Sequence, residues 1–388
     1  MKKSISLRKE IQSIAVMLYF LMLVMHNLFQ SALLNYAWYL VLGLCFILGV
    51  LKKKIRISNS FAALMLLLVV FGLLNYFAVG NATLAGVAFT VIYAGVCLLL
   101  MDDGVDERYI LIALYADCLL MAYRIIRAGL GNPIFGEMSN NFASVLLFLP
   151  TIVYYTRAEY YGKKISIIPS LAVTMTCVLA MGRGGMISAA LLSAFLLLYV
   201  ARTESNWKSK YYQSLFKILL VFLALIVIVV GLSFVDRIKS LSVFERFSKF
   251  GMYGTGRAGI WEEYLTNMVR NVKNILLGVS YQDLPLMERY RGNLHNSFFN
   301  FHADYGLIVL LFLLGLIASN GVRCIRKKRW IYLSVMIIFF VRAFTDRIFG
   351  GGSAATPILF FVLLHIRDKK QPVDILQYLK LLTGRNFS

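Results

Sequence analysis

Apolar runs of about 20 residues, each the length of a helix across a hydrocarbon layer, follow one another along almost the whole chain. Within hydrocarbon a backbone must satisfy its own hydrogen bonds, which leaves α-helices or closed barrels. The runs are continuous rather than alternating, so helices are expected. Twelve spans are read, at approximately 12–30, 33–51, 61–79, 82–101, 109–128, 141–156, 165–181, 186–201, 215–234, 297–319, 330–345 and 354–366. Charged residues make up 15% of the chain and mean hydropathy is +0.73, whereas soluble domains carry about 25% charge. The expected fold is an all-α polytopic membrane protein, with residues 1–388 as a single membrane domain. One large extracytoplasmic helical loop, about 235–296, interrupts it between spans nine and ten.

A net charge of +21 raises the question of nucleic acid, and its distribution answers it. With the N-terminus inside and the spans alternating, most of the 40 lysines and arginines fall in inner segments. Lys2, Lys3, Arg8 and Lys9 precede the first span, and Arg323, Arg326, Lys327, Lys328 and Arg329 follow the tenth. Short basic inner loops are what the positive-inside rule requires. The charge therefore reports topology. Both termini are expected on the cytoplasmic side, including a tail at 367–388. Anionic membrane lipid is an expected partner, and nucleic acid is not. The basic stretch Met1–Lys9 lacks a small-residue cleavage site and reads as the flank of an uncleaved first helix. Asp374 to Leu382 looks like a short interfacial helix. Of five cysteines none lies in the outward loop, so no disulfide framework is implied. Metal-ligand spacing is missing too, and neither a metal nor another cofactor is expected.

The long loop has helical patterning. Thr255 can cap a helix that begins near Ile260 and that Gly278 stops. Ile260, Tyr264, Leu265, Met268, Val272, Ile275 and Leu276 recur at three- and four-residue spacing as one apolar face. Such a face packs on the rim of the bundle or covers a lipid-accessible pocket.

A few polar residues stand out against this background. Arg257 follows Gly256 in the first turn of the loop helix. Free N–H groups and the helix dipole already favour an anion there, and a guanidinium adds a fork suited to phosphate. Alone it is equally an exposed loop arginine. Arg183, in Met181-Gly-Arg-Gly-Gly, sits between two short spans at the expected outer surface. Its glycines permit a tight turn, although an isolated arginine there is more readily a membrane anchor. His295 is the one histidine in the outward loop, and imidazole exchanges protons near neutral pH. Asn296 beside it is a further substrate-binding candidate. So is His302, two helical turns on, for which a structural role in span ten competes. Arg124, near the outer end of span five, shares a helix face with Asp117; the two pair with other helices, or Arg124 joins an anion site. Arg342, Asp346 and Arg347 form another outward polar cluster before Gly350, with Arg342 and Arg347 as substrate-binding candidates.

Three motifs in order resemble the O-antigen ligase and polymerase family of polysaccharide membrane enzymes. They are Gly182-Arg183-Gly-Gly after a short span, Gly256-Arg257-x-x-Ile-Trp in the loop, and His295-Asn-Ser-Phe-Phe-Asn-Phe-His-Ala-Asp-Tyr-Gly-Leu opening the next span. The resemblance covers mainly residues 170–320. It implies metal-independent, inverting glycosyl transfer outside the bacterial cytoplasmic membrane, from a glycan on undecaprenyl diphosphate. Arg183 and Arg257 would bind the diphosphate and stabilise the leaving group. His295 would orient or deprotonate the acceptor hydroxyl. A polymerase adds the glycan to another lipid-linked repeat unit, with a chain-length regulator as a candidate partner. A ligase adds it to lipid A core or to protein. The compact chain and single modest loop favour the polymerase. The competitor from another class is a transporter of lipid-linked sugars, whose polar sites would lie at the midplane. Here the polar residues gather at the outer ends.

Overall fold

A computed structural model of the protein describes residues 7–51, 58–130, 132–136, 140–203, 257–288, 293–350, 353 and 356–364. The side chains of Arg183, Arg257 and Ala258 lie outside that description. So do the ninth expected span at 215–234, the Thr255 cap, the start of the long loop and the tail at 367–388.

Every described element is helical apart from turns and short connectors. The membrane-type helices are α1 (Leu7–Phe29), α2 (Ala32–Val50), α3 (Asn59–Ala78), α4 (Leu84–Leu100), α5 (Glu107–Ala128), α6 (Phe142–Tyr160), α7 (Ile168–Leu179) and α8 (Arg183–Thr203). The loop supplies α9 (Arg257–Met268), α10 (Val272–Leu277) and α11 (Pro285–Glu288). After it come α12 (Ser297–Arg326), α13 (Trp330–Thr345) and α14 (Thr356–Leu364). Three connectors end on a hydroxyl residue whose side chain caps the next helix. Ser31, Ser58 and Thr83 accept from the N–H of Leu34, Phe61 and Gly86, which satisfies donors the helix leaves open. Six helices are long and apolar enough to cross a membrane, namely α1, α2, α3, α5, α8 and α12. The helices α4, α7 and α13 are apolar but shorter. The expected twelve crossings are thus not reached among the described residues.

Helix α6 is not among the six. It is buried all round from Ala143 to Ala158 and packs against α1, α5, α7, α8, α13 and α14. A helix apolar on every side is an interior helix, and protein surrounds this one. Its two ends organise the two ends of the bundle. At its last turn Arg157 is fully buried. The guanidinium donates to the carbonyls of Leu100, Asp102 and Val105 at 2.8, 3.0 and 2.6 Å and lies 3.5 Å from Glu107. Lys163 also pairs with Glu107, Gln12 donates to Asp102, Tyr161 to Asp103, and Arg329 to the Glu159 carbonyl. Segments expected on the inner side therefore share one end of the bundle.

The opposite end is built around a break in α12. Gly306 has φ 79° and ψ 176° inside that helix, and such a break interrupts the carbonyl ladder. The Ala303 carbonyl accepts instead from the side-chain amides of Asn75 at 2.7 Å and Asn81 at 2.9 Å. The same two amides reach the loop, Asn75 at the Leu277 carbonyl and Asn81 at the Val279 carbonyl, both at 2.6 Å. Two asparagines thus join α3, the kink and the loop helices. Asn75→Ala removes the side-chain donor of the Leu277 carbonyl and one of the two at the Ala303 carbonyl, and a loss of about 1–3 kcal/mol is expected. Thermal unfolding of the full chain in detergent checks this.

The loop differs from the single helix that the pattern implies. It breaks at 269–271, where the Asn271 side chain accepts from Asn274 N–H at 2.7 Å and starts α10 afresh. Short polar side chains compete with the helical backbone in this way. The apolar stripe is consequently divided: Ile260 and Tyr264 are buried, while Leu265, Val272 and Leu276 are exposed.

Candidate functional site

The first turn of α12 places His295. Asn296 caps that helix, its side-chain oxygen accepting from Phe298 and Phe299 N–H at 2.9 and 3.2 Å. His295 just before it has φ 49°, a conformation uncommon outside glycine. The Asn293 side chain holds it there by accepting from its N–H at 2.8 Å. In this position His295 Nδ1 lies 3.7 Å from Asp346 Oδ1.

Asp346 follows the last turn of α13. Arg342, one turn earlier and 1% exposed, donates to its Oδ2 at 3.1 Å. Arg342 also donates to Thr345 Oγ1 at 3.2 Å and to the Asn141 carbonyl at 3.5 Å. The Ser297 hydroxyl donates to the Asp346 carbonyl at 2.7 Å and accepts from Ile348 N–H at 2.8 Å. Burial works against charge on Asp346, but the close His295 ring and the Arg342 guanidinium outweigh it. Together they hold the carboxyl well below the usual carboxylate range.

The Gly-Arg-Gly-Gly turn packs on the same cluster. Asn141, at the start of α6, accepts from Gly184 and Gly185 N–H at 3.1 and 3.4 Å. A Cβ at Gly182 would stand 2.7 Å from the Asn141 nitrogen, and one at Gly185 would stand 2.8 Å from Ser144. A Cβ at Gly184 would meet Arg342 Cζ at 3.6 Å. Gly182 and Gly185 are therefore required for close approach to α6, whereas a Cβ at Gly184 would make only ordinary contact; the left-handed residue of the turn is Met181, at φ 55°. The backbone of Arg183 opens α8 within this contact. Arg257 opens α9, and one turn later the Trp261 indole donates to the Leu294 carbonyl at 2.8 Å, next to His295. All three motif backbones thus meet at one end of the bundle.

Other candidates are engaged elsewhere. His302 is 1% exposed. Its Nδ1 accepts from the Tyr264 hydroxyl at 2.5 Å, and its Nε2 bonds the Ile275 carbonyl at 2.9 Å. With both nitrogens occupied it fastens α9 and α10 to α12. Asn296 is 2% exposed and serves as a cap. Arg342 acts through Asp346 from a buried position. Arg347 pairs with buried Asp304 at 3.1 Å, and Asp304 also accepts from the Tyr281 hydroxyl at 2.8 Å. Arg124 lies over the Phe29 ring at 5.2 Å. Asp117 is fully buried, and its carboxylate has no hydrogen-bond partner among the described residues. All five cysteines are free and buried.

Sequence reading did not give Asp346 its place beside His295. Its one signal was the four-residue spacing to Arg342 at the end of an apolar run. Asn141 gave none, because nothing local marks the residue that a distant turn will press upon. Among known proteins, no family model matches this chain and no curated protein matches it.

Proposed function

We propose that the protein polymerises undecaprenyl-diphosphate-linked oligosaccharide repeat units at the outer face of the bacterial cytoplasmic membrane. The transfer is metal-independent and inverting, and both termini are cytoplasmic. The observation carrying this reading is the meeting of three motifs at one end of the bundle. These are the Gly-Arg-Gly-Gly turn, the start of the Arg257 helix, and His295 beside Asp346 and Arg342.

His295 Nε2 takes the proton from a sugar hydroxyl of the acceptor repeat unit. The hydroxyl oxygen bonds to the anomeric carbon of the donor glycan as the bond from that carbon to diphosphate breaks. Undecaprenyl diphosphate leaves with the electron pair. Arg183 and Arg257 bind the diphosphate and stabilise the charge that grows on it. Asp346 orients the imidazole through Nδ1 and stabilises the imidazolium.

Purified protein given a lipid-linked repeat unit is expected to produce a ladder of lengthened glycans. His295→Ala should lower the rate by about 100-fold or more, with single repeats accumulating in cells. Arg183→Lys and Arg257→Lys should both be impaired, because a point charge does not reproduce a two-pronged fork. Transfer only to a separately added acceptor would make the protein a ligase. Full activity of His295→Ala would remove the general base, and no chemistry at all would return the reading to a transporter.

A further inference from the structure

The loop helices carry a second surface that the site does not use. Leu265, Val269, Val272 and Leu276 are 43, 66, 68 and 40% exposed. Leu265 and Val269 lie at the end of α9 and Val272 and Leu276 on α10, so exposed apolar side chains flank the break on both sides. Ile260 and Tyr264 of the same arm are buried against the bundle. Arg270 and Lys273 lie exposed within the stripe's length.

The position of the arm identifies what meets this stripe. The Leu277 carbonyl is bonded by Asn75 near the end of α3, and the Leu276 carbonyl abuts the Gly306 kink of α12. Those two helices are among the six able to cross a membrane. Around these anchor points they expose large apolar side chains: Val70, Leu74 and Phe77 on α3, and Ile308 and Leu311 on α12. The stripe therefore adjoins the apolar belt of the bundle instead of standing alone in water. An apolar stripe bordered by cations is the pattern of a segment lying in the interface plane. Each cation near an anionic surface adds to the attraction.

We propose that α9 and α10 lie in the interfacial layer of the membrane, with Leu265, Val269, Val272 and Leu276 at the acyl boundary. Arg270 and Lys273 contact the phosphates of anionic lipid headgroups. The arm that begins at Arg257 is thereby held at the depth of the leaflet surface. This contact is independent of the chemistry assigned to His295.

The full chain reconstituted in bilayers containing anionic phospholipid provides the test. A spin label is placed at Val269→Cys or Val272→Cys, the native cysteines being buried, and a reference label at exposed Gln282→Cys. Oxygen, which partitions into acyl chains, should relax the first two labels more than a water-soluble nickel chelate does. The order should reverse at Gln282→Cys. The double change Arg270→Glu, Lys273→Glu should lower the oxygen-to-nickel ratio at Val272→Cys in anionic bilayers and leave it unchanged in zwitterionic ones. Nickel dominating at both stripe positions would overturn the proposal. Exclusion of both reagents there would also overturn it, since protein would then cover the stripe. An equal effect of the charge reversal in both lipids would remove the headgroup contact.

Discussion

Asp346→Asn is expected to destabilise the protein by about 3–5 kcal/mol and to abolish polymer formation. Asparagine keeps the shape but removes the counter-charge of Arg342, which is 1% exposed and 3.1 Å away. A buried cation without its partner costs far more than the intact pair contributes. The same change removes the negative charge 3.7 Å from His295 Nδ1. Two causes of inactivity would then be mixed, and a second variant separates them. Asp346→Asn with Arg342→Met removes both charges and should recover most of the melting temperature in detergent. It should stay inactive, because His295 still lacks the group that orients it. A stable double variant that polymerises normally would show that Asp346 serves Arg342 alone.

The pH dependence of this cluster has a definite sign. The folded Asp346 carboxyl is held below its ordinary value. Its stabilising contribution is therefore complete above the unfolded carboxylate pKa of about 3.9, and is lost only as pH falls through the lower folded value. Melting temperatures measured down to about pH 5 should show no loss attributable to this pair.

The sequence made some of this legible and hid the rest for identifiable reasons. Membrane-type helices were readable because crossing length is a local property of composition, whereas the caps at Ser31, Ser58 and Thr83 were not picked out. The break in the loop was not readable, since apolar spacing runs straight through Asn271. Only that residue's side chain competing with the backbone divides the stripe. His302 looked like a free polar group in an apolar helix. The groups that occupy it, Tyr264 and the Ile275 carbonyl, lie 38 and 27 residues away in the chain. The glycines around Arg183 were readable as a turn, but their demand for space comes from Asn141 and Ser144 on another helix. Motif order pointed to one end of the bundle. Arg342 and Asp346 are four residues apart and locally paired, but the approach of His295 to Asp346 depends on which helices adjoin, and no local pattern encodes that.

Gly306→Ala is expected to cost more than about 3 kcal/mol, the second large effect. The pair φ 79°, ψ 176° at this position belongs to a region essentially reserved for glycine. A Cβ there would also run into the Leu276 carbonyl of α10. Relief requires either straightening α12 or lifting α10. Straightening would withdraw the Ala303 carbonyl from Asn75 and Asn81, and lifting would break the Leu277 contact with Asn75. Both routes release the loop arm from α3. Gly315→Ala in the same helix is the control, because nothing lies within 4 Å of the added carbon. It should be neutral or gain about 0.5–1 kcal/mol. Thermal unfolding should separate the two variants widely, and limited proteolysis of Gly306→Ala should cut first within 257–288. Equal melting temperatures would mean that the kink does not hold the arm. If Gly306→Ala folds but opens only the loop, loss of polymer with an intact bundle would tie activity to the arm's contact with Leu294, next to His295.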